Sequence, residues 1–339
     1  MTIKQFSDLS CECLGLVILS DILTLQLTNY LSLKTNMDSL LNPFNPKKAS
    51  FGRHETFALR YAWLTKGFQA FENNDAIFSQ EEATIELGVG KNMVNAIKYW
   101  LRATNMLEDT EQSLIAGKIG KAIFSEHGYD PYLEDEATIW LIHWLLATNF
   151  ESATAWYWFF NCFHKAEFTS DEASEALADF VKNHVSGKHS ERTVKQELPM
   201  ILRMYSPAKA QIEDSLDAPL TSLKLITAVD GSHVYQSFSG QQANLPVEII
   251  GYASNEVFNQ RGVNMLPISE LMYGQKYGVA LGSVFRLKEN ALLAKLEQLV
   301  ARYPNIFHIN ETAGIHQFSR LTDSQSLDFL GHYYQGVTL

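Results

Sequence analysis

The sequence predicts a mainly α-helical protein with small β wings, in which a winged helix-turn-helix domain precedes an α-rich C-terminal domain. Apolar residues recur at three- and four-residue steps, the spacing that places them on one side of a helix. Two short helical segments also meet at a glycine turn. Hydrophobic residues make up 46% of the 339 residues and charged residues 19%, so the chain can bury a large core. This length suggests about two domains.

We predict three segments: a loosely held leader (1–44), a winged-helix DNA-binding domain (45–165) and an α-rich C-terminal domain (166–339). The leader has poor helical periodicity and ends in a proline-containing stretch that stops a helix. An extra helix packed on the body is the alternative for this segment. Translation starts at either Met1 or Met37, and the sequence does not decide between them.

The sequence predicts a cytoplasmic protein. The apolar run at residues 14–27 is interrupted by polar residues and lacks the basic start of a secretory signal. The three cysteines show no paired spacing typical of a metal site, which fits a reducing compartment.

The first helix of the predicted DNA-binding domain is expected from Phe57, whose apolar stripe continues through Tyr61, Leu64 and Phe68. Near its start, His54, Glu55 and Arg60 are predicted to form exposed ion pairs rather than a catalytic pair, because charged pairs at helical spacing are common.

A helix-turn-helix is predicted between Ser79 and Leu107. Ser79 is expected to cap a short helix that ends at Gly88, and a second helix begins near Gly90. Residues 106–108 and 113–115 could then pair as two short strands, which completes a winged helix.

The second of these helices has one apolar and one polar side. Met93, Val94, Ile97, Trp100 and Leu101 cluster toward the core. The other side carries the predicted DNA contacts Asn92, Asn95, Lys98 and Arg102, with Lys91 as a helper and Tyr99 beside them. Asparagine can pair with adenine, and Arg and Lys suit guanine or phosphate oxygens. These residue types indicate double-stranded DNA as the partner.

The overall charge limits how the protein can hold DNA. A formal net charge of −11 argues against non-specific coating of nucleic acid. Residues 45–121 nevertheless carry ten Lys and Arg against nine Asp and Glu, so the predicted DNA-binding domain is the more favourable region for a polyanion.

A second helix-turn-helix is predicted after Phe168. Thr169 or Ser170 caps its first helix, and residues 190–205 form its second helix, with Arg192, Gln196 and Arg203 facing outward as further DNA contacts. Pro199 is expected to kink that second helix.

The remaining segments are predicted to be structural. Tryptophan and phenylalanine are dense in residues 140–160, and we expect these rings to be a core rather than a base-stacking platform. Helices are expected at 246–258 and 288–302, with a short strand at 306–309.

Markers of several enzyme classes are absent from the sequence, including the phosphate-binding loop, the dinucleotide fingerprint, the hydrolase nucleophile elbow and the zinc-protease motif. If the protein cuts DNA, the candidate catalytic residues are His127, Asp130 and Glu134, with a divalent metal as the implied cofactor. Asp130 before a proline, and acids before a helix, are also ordinary structural features.

Four stretches resemble a bacterial family known only as a domain of unknown function: residues 51–57, 87–94, 128–132 and 143–148. Members of that family occur beside sulfurtransferase proteins of DNA phosphorothioation, and the SspB-type nicking protein of such defence systems is similar. The resemblance implies a DNA-acting, strand-nicking component that works with phosphorothioation sulfurtransferase and ATPase proteins. It assigns no catalytic residue.

Two other functions remain open from the sequence. The same polar helix face could serve a winged-helix transcriptional regulator without enzymatic activity. The helices could also form an adaptor that recruits ATPase or sulfurtransferase partners.

Overall fold

The computed structural model describes residues 41–336, apart from 43, 207–217, 276 and 313. Most of the predicted leader, including Met37, therefore lies outside the described residues. At its end, Phe44 packs against the rings of Phe150 and Tyr277, each with centroids 4.7 Å away. The backbone at Asn42 pairs with that at Asn149. The chain is thus anchored to the core before the first helix begins.

The first part of the fold contains four helices and a hairpin. These are α1 (Tyr61–Asn73), α2 (Ala83–Leu87), α3 (Lys91–Ala103), the antiparallel strands β1 (Leu107–Asp109) and β2 (Leu114–Ala116), and α4 (Lys118–Phe124). Gly88 has a φ of 66°, in the left-handed region that glycine enters without strain, and it ends α2. The predicted glycine turn and hairpin are confirmed.

Two predicted helix starts are wrong. Ser79 ends a 3₁₀ turn instead of capping α2, which begins at Ala83. Helix α1 begins at Tyr61 rather than Phe57, because residues 52–56 turn sharply and include Glu55 and Thr56 with positive φ. The apolar stripe continues across this boundary, so side-chain spacing alone placed the start one turn too early.

The aromatic segment forms the centre of the fold, as predicted. It contains α5 (Glu136–Thr148) and α6 (Thr154–Asn161), and both helices are buried on nearly every side. Trp156 in α6 meets Trp100 of α3 edge to face, with centroids 5.3 Å apart. The core side of α3 therefore rests on the most buried part of the molecule.

The second part of the fold follows α6. It contains β3 (Glu167–Thr169), α7 (Ser170–His184), α8 (Glu191–Lys195), α9 (Glu197–Tyr205), a 3₁₀ helix (Pro219–Leu223), β4 (Thr227–Ala228) and β5 (Val234–Gln236). Its antiparallel sheet has the order β3, β5, β4. Thr169 and Glu172 form a capping box at the start of α7, which confirms the predicted cap.

The predicted helix at 190–205 is two helices. Pro199 has no N–H to donate to the carbonyl of Lys195, and the helix breaks between them, at Gln196. The Ser174 hydroxyl lies 3.4 Å from that carbonyl, but its shorter hydrogen bond, at 2.7 Å, goes to the carbonyl of Ser170. The proline therefore causes a break rather than the predicted kink.

The third part contains most of the remaining helices. It consists of α10 (Val247–Arg261), β6 (Met265–Pro267), α11 (Ile268–Tyr273), α12 (Leu281–Val284), α13 (Glu289–Arg302), β7 (Phe307–Thr312), β8 (Ile315–Arg320) and α14 (Ser326–Gln335). The antiparallel sheet has the order β6, β8, β7, so the middle strand is the last in the chain, as in the second sheet. The predicted helices and strand of this region are confirmed.

Arg286 connects the third part of the fold to the centre. Its guanidinium is 5% exposed and donates to the carbonyls of Phe159 and Phe163 at the end of α6 and to the hydroxyl of Ser237. Desolvation lowers the pKa of Arg286 to about 10. A cation at a helix C-terminus completes the hydrogen bonds of the last carbonyls.

None of the helices within the described ranges has the length and apolar character needed to cross a bilayer.

Candidate nucleic-acid interface

The outer side of helix α3 is polar and open to solvent. Lys91, Asn92, Asn95 and Arg102 are exposed and Lys98 is half-buried. Val94, Ile97, Trp100 and Leu101 on the opposite side are buried. Tyr99, predicted to lie beside the polar contacts, is only partly exposed. Its hydroxyl donates to the carbonyl of Ser152 at 3.0 Å, and burial raises the pKa of Tyr99. The predicted division of α3 into a core side and a polar side is confirmed.

The hairpin that follows α3 contacts this polar side. The guanidinium of Arg102 binds the carboxylate of Asp109 on β1 through both Nε and Nη2, and the Nε bond is 2.8 Å long. Both side chains are largely exposed. Exposed ion pairs contribute little stability.

Residues 51–57, which we call the strap, lie against α3, where the indole N–H of Trp100 donates to the carbonyl of Phe57 at 3.1 Å. Gly52 has a φ of 71°, and a Cβ there would lie 2.6 Å from the Thr193 methyl of α8. The Gly52 N–H donates to the Glu197 carboxylate of α9. The strap is therefore fixed to the second part of the fold.

His54 is buried, and the prediction that it forms an exposed ion pair is wrong. It is 1% exposed, and its Nδ1 accepts from the backbone N–H of Thr56 at 3.1 Å. The other ring nitrogen, Nε2, lies 3.3 Å from the carboxylate of Glu197, which is also buried. The ring lies parallel to Trp100, with centroids 6.1 Å apart. Glu55 is exposed, and Arg60 precedes α1 with its guanidinium over the ring of Trp63.

A groove of about 690 Å³ has residues of the strap and of helix α3 in its lining. It is lined by Lys48, Ala49, Ser50, Arg53, Glu55, Asn95, Lys98, Tyr99, Arg102, Asp109, Glu151 and Ser152. Three of the predicted contacts, Asn95, Lys98 and Arg102, thus lie in one groove. Lys48 and Arg53 join them and were not predicted, because their position depends on how the strap folds.

The second set of predicted contacts lies elsewhere. Arg192 and Gln196 are exposed on α8 and at the break that follows it. Arg203 of α9 is half-buried, and its guanidinium donates to the carbonyl of Thr56 at 3.4 Å. Arg203 therefore holds the strap rather than facing solvent alone.

The three candidate catalytic residues differ in exposure. His127 and Glu134 are exposed, whereas Asp130 is 6% exposed. The Asp130 carboxylate accepts hydrogen bonds from the backbone N–H groups of Glu134 and Asp135 and from the Thr138 hydroxyl. Both of its oxygens are engaged in holding the start of α5.

The described residues do not assemble a site for a divalent metal. No three His, Cys, Asp or Glu side chains within them lie close enough together to hold an ion. Because both Asp130 oxygens already accept hydrogen bonds from the fold, Asp130 does not fit this role in its present arrangement.

The fold has been seen in crystal structures of other proteins. A structure described as magnesium ion-bound SspB is 28% identical, with a TM-score of 0.74, and the match covers 84% of this chain and 88% of that one. A second SspB structure is 29% identical, with a TM-score of 0.73 and the same coverage. The expected likeness to SspB-type proteins is confirmed.

The comparison with curated proteins finds no match. Residues 51–334 match the family described as protein of unknown function, DUF4007. This segment includes the strap, α3 and nearly all the described elements that follow. The chain belongs to the DUF4007 family.

Proposed function

We propose that this chain is the DNA-binding component of a bacterial phosphorothioation system. The observation that carries the proposal is the outer side of α3, where Asn92, Asn95, Lys98 and Arg102 are accessible while the opposite side is fixed in the core. Amides and cations on one exposed helix side match the hydrogen-bonding edges of bases and the adjacent phosphates.

The order of elements supports a winged helix around this side. Helices α1, α2 and α3 are followed by the hairpin β1–β2, whose Asp109 reaches Arg102. In that arrangement α3 enters the major groove and the hairpin lies beside it. Arg192 and Gln196 are proposed as a secondary contact.

Phosphorothioation is proposed because of the likeness to SspB. The proposed protein partners are the sulfurtransferase and ATPase proteins of that system, in the cytoplasm. A pull-down with and without DNA separates this function from that of a pure adaptor, which would hold these partners without needing DNA.

The test is a fluorescence-anisotropy titration of duplex DNA at 100 mM NaCl. Replacing Asn92, Asn95, Lys98 and Arg102 together by alanine is expected to weaken binding by about 100-fold, because base and phosphate contacts are lost together. Lys66→Ala with Lys121→Ala removes two exposed cations elsewhere and is the matched control. Unchanged affinity of the fourfold variant would contradict the proposal.

Strand nicking is the second candidate function, favoured by the likeness to SspB, one structure of which is described as magnesium ion-bound. The assay is conversion of supercoiled plasmid to open circle, with and without Mg²⁺. Glu134→Gln and His127→Gln test the exposed candidates, and Asp130→Asn is measured together with a thermal melt because Asp130 holds the fold. If the pure protein converts no supercoiled plasmid to the open-circular form in either buffer, nicking is contradicted and the DNA-binding proposal stands without it.

A further inference from the structure

The strap presents Arg53 to the groove in a fixed position. The Glu197 carboxylate accepts the N–H of Gly52 through Oε1, and its Oε2 lies 3.3 Å from Nε2 of His54. One neighbour of Arg53 is therefore hydrogen-bonded to a buried carboxylate, and the ring of the other lies beside the second oxygen of that carboxylate. Arg53 itself is exposed and lines the groove.

The backbone on the other side of Arg53 is also unusual. Glu55 and Thr56 follow with φ of 51° and 63°, which non-glycine residues rarely adopt. Such conformations persist where surrounding contacts impose them. Here the Thr56 N–H donates to His54 Nδ1, and the Thr56 carbonyl accepts from Arg203. The strap backbone is thus held by specific hydrogen bonds.

The charges of the groove differ in how they are paired. Lys48 lies 3.0 Å from Glu151, and Arg102 binds Asp109. Within the described part of the chain, Arg53, Lys98 and Glu55 have no ion-pair partner. Two unpaired cations that line the same groove suit the phosphate backbone of a bound duplex, and the carboxylate of Glu55 opposes its binding.

We infer that Arg53 binds a backbone phosphate of the duplex whose bases face α3, and that Glu55 weakens this contact. This inference rests on the proposed DNA-binding function and adds the strap to its contact surface. Glu197 is the positioning residue, because it contacts both neighbours of Arg53 and lies buried away from the DNA.

The experiment compares Arg53→Gln and Glu55→Gln in the full-length chain by duplex-DNA titrations between 50 and 200 mM NaCl. Arg53→Gln is expected to weaken binding by about fivefold at 100 mM and to reduce the slope of log affinity against log salt by about 0.9, the loss of one phosphate contact. Glu55→Gln is expected to strengthen binding about twofold, since it removes a negative charge from the same groove.

Lys66→Gln, an exposed cation of α1 outside the groove, is the control and should leave affinity and salt slope unchanged. Opposite changes for the two strap variants support the inference, because general destabilisation would move both in one direction. Wild-type affinity for both variants, together with weak binding by the fourfold α3 variant, would overturn the strap contact alone. Absence of duplex binding by the wild type would overturn the proposed function and the strap contact together.

Discussion

Helix α3 and the pair α8–α9 both direct polar side chains away from the core, but their surroundings differ. Asn95 and Arg102 of α3 open into a groove. On α9 the outward Glu197 is buried by the strap, and Arg203 is tied to Thr56. The polar side of α3 is accessible to a ligand, whereas Glu197 and Arg203 of α9 contact the chain's own strap. A polar helix face is thus open to a ligand only where no other segment covers it.

The largest effect is expected from Glu197→Ala. The substitution leaves the Gly52 N–H and His54 without their buried partner, and we expect it to lower the free energy of unfolding by about 3 kcal/mol. Arg102→Ala on α3 should cost less than about 1 kcal/mol, because its ion pair with Asp109 is exposed. Urea denaturation of both variants measures how much unfolding free energy each one loses. Equal losses would show that Glu197 stabilises the fold no more than the exposed Arg102 does.

The buried contact between α5 and the end of α9 should make the protein less stable in acid. His143 of α5 is fully buried, contacts the hydroxyl of Tyr205 at the end of α9, and has its Nε2 2.8 Å from the carbonyl of Val284. Desolvation lowers the pKa of His143 from 6.5 to about 3. Below pH 6.5 the unfolded chain takes up the proton and the folded chain does not, so stability falls by about 1.4 kcal/mol per pH unit until about pH 3.

Urea denaturation at pH 7, 6 and 5 measures this contribution when wild type is compared with His143→Gln, which cannot titrate in this range. The difference in stability between the two should shrink as the pH falls. A difference that stays constant from pH 7 to 5 would show that His143 is protonated in the folded chain as readily as in the unfolded one.

The smallest effect is expected from Arg192→Ala combined with Gln196→Ala. These two side chains are exposed but lie outside the groove, so we expect duplex affinity to fall by about twofold at most. The same anisotropy titration applies. If affinity fell as much as in the fourfold α3 variant, α8 would contribute to duplex binding as strongly as α3 does, and the two regions would not differ in accessibility to DNA.

Local features of the sequence were enough to predict α3. Its periodicity, the two glycines before it and the hairpin after it are encoded within about thirty residues, and the structure has them as predicted. The polar side of the candidate site was therefore accessible to sequence analysis, including Asn95, Lys98 and Arg102.

The strap was not predictable in this way. His54 precedes a helix and is followed by a glutamate, so its neighbours suggested an exposed ion pair. Its burial is set by tertiary contacts, because the ring packs against Trp100 and its Nε2 lies 3.3 Å from the carboxylate of Glu197, which is distant in sequence. Arg53 was missed for the same reason, since only the folded strap brings it into the groove that α3 also lines.

The cap that Arg286 forms on α6 bears on how this chain can be divided for expression. A fragment that stops near residue 165 would keep the aromatic helices but lose the guanidinium that donates to the last carbonyls of α6. It would also expose rings of Phe159 and Phe160 that the guanidinium covers. Recombinant work on α3 is therefore better served by point variants of the intact polypeptide than by truncation.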